Sequence, residues 1–172
     1  MGADDETQVS QLVAIGFNEP LQAERVRLEL LEMQHELLID IEDIAVATKN
    51  DAGELTLSHS TELKVAGATG GSILGAILGS MFAVPIAGAA LGASLGALTA
   101  TNLGLNTVTM KRLCEDLKPG GSVLFVLVMG SDREAVLERL RGIGGQVIES
   151  TLSESAEKAI QAALDGGGSQ SE

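Results

Sequence analysis

From Val65 to Met110 the chain carries no Asp, Glu, Lys, Arg or His, a charge-free block of 46 residues. A soluble domain averages about one charged residue in four. A block this long without charge has to be buried against lipid, against other copies of itself, or against the rest of the fold. Within it, Gly67, Gly71, Gly75 and Gly79 recur every fourth residue. So do Gly88, Gly92 and Gly96, and the same phase runs on through Ala100 to Gly104. A spacing of four places each set on one helical face. Glycine in a helix interior costs about 1 kcal/mol relative to alanine, so close packing of these faces against another backbone has to offset the loss. Pro85 suits the first turn of a second helix. The block therefore reads as a Gly/Ala-rich helical hairpin, residues 65–105, with the eight glycines as its packing faces.

Each arm of about 18 residues would measure roughly 27 Å, close to the thickness of a hydrocarbon core. The tip, Met81 to Ile86, has no charge and no Trp or Tyr to anchor at a far interface. Length permits a membrane span, and the tip resists one. Burial among other copies of the chain is the leading expectation, with the lipid bilayer as the alternative partner.

The flanks are charged. Residues 1–64 hold 4 basic and 14 acidic side chains, and residues 111–172 hold 7 and 10. The net charge of −13 argues against nucleic acid, whose phosphates require a Lys/Arg footprint. Residues 1–10 read as a disordered acidic N-terminus, unlike a secretory leader, so the α/β part is expected in the cytoplasm. Residues 166–172 read as a flexible tail. Between these ends the flanks alternate strand and helix. Strands are expected at 11–17, 41–48, 54–60, 122–129 and 146–152, and helices at 21–38, 106–117, 133–141 and 154–164. Residues 122–129 (SVLFVLVM) read as a central strand covered on both faces. The first helix takes Leu21, Leu28, Leu31 and Leu38 as its apolar residues. The fold class is α+β: a ferredoxin-like split βαβ domain, halves 11–64 and 106–165, with the hairpin inserted between them.

The run Ala23 to Asp43 (AERVRLELLEMQHELLIDIED), the Gly/Ala hairpin, and LKPGGSVLFVLV at 117–128 followed by GGQVIESTLS resemble a widespread prokaryotic family of unknown function. That family is usually labelled as predicted membrane proteins. The resemblance spans about residues 11–165 and implies a prokaryotic source and membrane association. It implies no activity and no catalytic residues.

Few side chains offer chemistry. Asp40, Glu42 and Asp43, with Glu32, His35 and Glu36 nearby, could supply hard metal ligands, but they lack any defined ligand spacing and read as a solvated acidic helix end. His35 is expected to be partly buried and satisfied. Cys114 has no neighbouring His and reads as a small structural side chain. The stretch Gly70 to Gly75 lacks the lysine of a phosphate loop. No nucleophile elbow is present. The expectation is a non-enzymatic protein without catalytic, metal or cofactor-binding residues. It associates with itself through the glycine faces, or else is an integral membrane protein with a sensing or scaffolding α/β domain.

Overall fold

The computed structural model describes residues 10–59, 74 and 107–166. Five antiparallel strands form one sheet: β1 (Gln11–Phe17), β2 (Ile39–Lys49), β3 (Leu55–His59), β4 (Ser122–Ser131) and β5 (Gln146–Ser150). Their spatial order is β3-β2-β4-β1-β5. Among the described residues four helices with described bounds accompany them: α1 (Gln22–His35), α2 (Thr107–Glu115), α3 (Arg133–Leu140) and α4 (Glu154–Leu164). The fold is mixed α/β. Apart from Leu74, the expected hairpin and all eight of its glycines lie outside the described residues, as do the two terminal segments 1–9 and 167–172.

Strand β4 lies in the middle of the sheet, and Ser122 to Leu127 are all buried, as their unbroken apolar run implies. Strand residues alternate between two faces. The first face carries Val13, Ile15 and Phe17 of β1 and Leu124 and Val126 of β4. Helices α1, α3 and α4 close it with Val26, Leu30, Met33, Val136, Leu140 and Leu164.

Helix α1 departs from the sequence expectation. Its buried residues are Ala23, Val26, Leu30 and Met33. Leu21 and Leu28 stand exposed at 63% and 55%, while Leu31 and Leu38 only flank the core. Two apolar stripes share this helix, and the one containing Ala23 and Met33 meets the sheet. The helix also ends before residue 38. Leu37 adopts φ 62°, its N–H donates to Gln34 O, and Leu38 N–H donates to Met33 O. This is the Schellman termination, with leucine where glycine is usual.

Strand β2 runs two residues further back than expected and contains a bulge. Ile41 pairs with Val128 while Asp43 pairs with Leu127, leaving Glu42 as the extra residue. The bulge inverts the alternation. Ile39 and Ile41 before it, and Ile44 and Val46 after it, all face the first layer. Asp43, Ala45 and Ala47 are thereby turned to the second.

Candidate functional site

The second face of the sheet holds Leu74, a residue of the charge-free block. It presents Leu12 and Ala14 from β1, Ala45 and Ala47 from β2, and Val123, Phe125 and Leu127 from β4. Three alanines make it shallower than the first face, so what lies on it approaches the strands closely. Helix α2 supplies Met110 and Cys114 to this layer, and Leu74 completes it with no exposed surface.

Asp43 fixes Leu74 there. The carboxylate is 1% exposed. Its Oδ1 accepts the Ile44 N–H at 2.8 Å, and its Oδ2 accepts the Leu74 N–H at 2.6 Å. A buried carboxylate needs such donors, because desolvation otherwise costs several kcal/mol. The bulge at Glu42 is what directs this acid inward. Beside it, the buried Ser10 hydroxyl donates to Glu42 Oε2.

The acidic cluster expected at the end of α1 is therefore dispersed. Asp40 and His35 are exposed, Glu42 is half-buried with Ser10, and Asp43 lies in the opposite layer. The exposure of His35 corrects the expectation of a partly buried ring: it follows Leu21 and Leu28 at heptad spacing, on the stripe that faces away from the sheet. Glu36 pairs with Arg139 at 2.6 Å, linking α1 to α3. Among the described residues no three His, Cys, Asp or Glu side chains converge on a metal-sized site. Cys114 is 1% exposed, and burial pushes its thiol from the usual 9.0 up to about 12, with Lys49 opposing and Glu115 assisting the rise. It is a neutral packing group at ordinary pH.

A cleft of about 1240 Å³ opens between the α2 end and the β5 edge, lined by Phe17, Leu117, Lys118, Ile148, Gln161 and their neighbours. Its amides serve the backbone around it. Gln22 Nε2 donates to Ile143 O at 2.8 Å. Gln161 Oε1 accepts the Val147 N–H at 2.8 Å, and its Nε2 donates to Gly145 O at 3.2 Å. These bonds hold the turn before β5. At Gly145, with φ +100°, a Cβ would fall 2.5 Å from the Phe17 ring. On this side of the cleft the Gln22 and Gln161 amides and the Gly145–Phe17 approach are structural contacts.

Sequence reasoning missed the Asp43–Leu74 bond. Asp43 read as one acid among several, because the parity change that buries it comes from strand pairing with β4. Among the described residues no helix is long and apolar enough to cross a membrane.

A family model described as "Protein of unknown function (DUF1269)" matches residues 68–165, which includes most of the charge-free block and the whole second half of the α/β fold. No curated protein and no solved structure matches the chain.

Proposed function

The chain belongs to DUF1269, and from that premise we propose that it is a non-enzymatic assembly protein whose copies associate through the glycine-bearing segment 65–105. In this reading Gly67, Gly71, Gly75 and Gly79 mark one packing face, and Gly88, Gly92, Gly96 and Gly104 mark the other. The observation that carries it is the seating of Leu74. Leu74, a residue of this segment, is buried in the second face of the sheet and its N–H is held by Asp43. An acidic α/β base then carries an uncharged segment that its own layers leave little room to cover, since α1, α3 and α4 occupy the first face and α2 shares the second.

The base itself we assign to the ferredoxin-like split βαβ arrangement. The strand order β2-β4-β1-β5, with α1 joining β1 to β2 and α3 joining β4 to β5, supports it; β3 extends one edge.

A second reading makes the same segment a membrane anchor, with the α/β base on the cytoplasmic side as a sensor or scaffold. The length of the charge-free block favours it. The two readings separate on the variants Gly71→Leu and Gly92→Leu. A bulky side chain on a packed glycine face should reduce particle mass measured without detergent, while the far-UV circular dichroism of the base persists. An unchanged mass in both variants refutes packing through these faces. A wild-type chain that leaves the membrane fraction only with detergent replaces assembly by the anchor.

A further inference from the structure

The outward stripe of α1 has a pattern of its own. Leu21, Arg25, Leu28, Glu32 and His35 are exposed along it, at the alternating spacings of four and three that keep one helical face. The other charged side chains of α1 are engaged: Glu24 pairs with Arg27, and Glu29 pairs with Arg139 at 3.6 Å. The side chains of Arg25 and Glu32 make no ion pair or hydrogen bond with the described residues, and they flank the exposed Leu28 at nearly equal distances along the helix.

We propose that this stripe is an interface with a second copy of the chain, two α1 helices packing antiparallel about a two-fold axis beside Leu28. A two-fold contact must be self-complementary. Antiparallel pairing about Leu28 places Arg25 of each copy beside Glu32 of the other, giving two ion pairs around a Leu28–Leu28 centre. Leu21 then packs near His35 of the other copy. Parallel pairing would set Arg25 on Arg25 and Glu32 on Glu32. Two chains of net charge −13 repel over most of their surfaces, whereas Arg25 and Glu32 leave this patch formally neutral. A partner of simple positive or negative character would gain from one of these residues and lose on the other. The charge order fits a second α1 running the opposite way.

The contact extends the self-association reading but uses different residues, so the two can fail separately. The test is disulfide cross-linking of the full chain carrying Leu28→Cys. Antiparallel helices about 8–10 Å apart bring facing residues within disulfide reach, and the native Cys114 is buried and does not compete. Mild oxidation should yield at least tenfold more covalent dimer than the exposed control Glu134→Cys on α3. Arg25→Glu or Glu32→Arg, added singly, should cut that yield about tenfold, and the two together should restore it. Equal cross-linking at both positions, or a double variant no better than the singles, overturns the proposal. A chain that keeps its particle mass without a 28–28 cross-link refutes the α1 contact alone. One that cross-links but forms nothing beyond a dimer refutes the glycine faces alone.

Discussion

Leu74→Ala removes three carbons from a side chain with no exposed surface. At about 0.8 kcal/mol per buried methylene, the transfer loss alone is roughly 2.4 kcal/mol. The cavity term is added in proportion to how little the site can collapse. Collapse is restricted here. The surrounding face is built partly on Ala14, Ala45 and Ala47, whose short side chains cannot swing into a void, and their strands are held in register on both sides of β4. The expected destabilisation is about 3–5 kcal/mol, the upper part of the range for such truncations. The chain has no Trp or Tyr, so urea unfolding is followed by far-UV circular dichroism at one fixed protein concentration. Val108→Ala is the control, an exposed aliphatic side chain on α2 expected to fall within about 0.5 kcal/mol of wild type. If Leu74→Ala behaved like that control, Leu74 would not be part of the core.

Other expectations follow from single contacts. Asp43→Ala leaves two buried N–H groups without their acceptor at about 1–3 kcal/mol each; Asp43→Asn, which retains an acceptor oxygen, should cost less in the same urea titration. Gly145→Ala meets both the positive φ and the Phe17 ring, and should lose about 2–4 kcal/mol by thermal unfolding. Leu37→Gly should gain up to about 1 kcal/mol, because Leu37 is 90% exposed and holds a left-handed conformation that glycine adopts freely. Cys114 is neutral up to about 12 when folded and ionises near 9.0 when unfolded, so its contribution is intact below pH 9 and is lost as pH rises from 9 through 12, by up to about 4 kcal/mol. Wild type should therefore lose more stability than Cys114→Ala over that interval.

The legible parts of the fold are those dictated by local pattern. The first strand and the run Ser122 to Met129 follow from apolar runs; the starts of the helices expected at 133 and 154 are fixed by N-caps, Asp132 accepting the Ala135 N–H and Ser153 the Ala156 N–H. The end of α1 was hidden because the left-handed residue is Leu37 rather than glycine. The buried stripe of α1 was hidden because Ala23, Val26, Leu30 and Met33 are no more apolar as a set than the leucines beside them; only the sheet decides between the two. Asp43 was hidden for a longer-range reason. Its burial depends on the Glu42 bulge, and the bulge exists only in the pairing of β2 with β4, about 85 residues apart along the chain.

The central claim is that copies of the chain bury segment 65–105 against one another. Sedimentation without detergent, in low and in high salt, tests it most directly. Self-association should give particles of at least four chains, and the assembly should tighten with salt, which screens repulsion between chains of net charge −13 while the apolar contact persists. A monodisperse monomer in both conditions would contradict the claim.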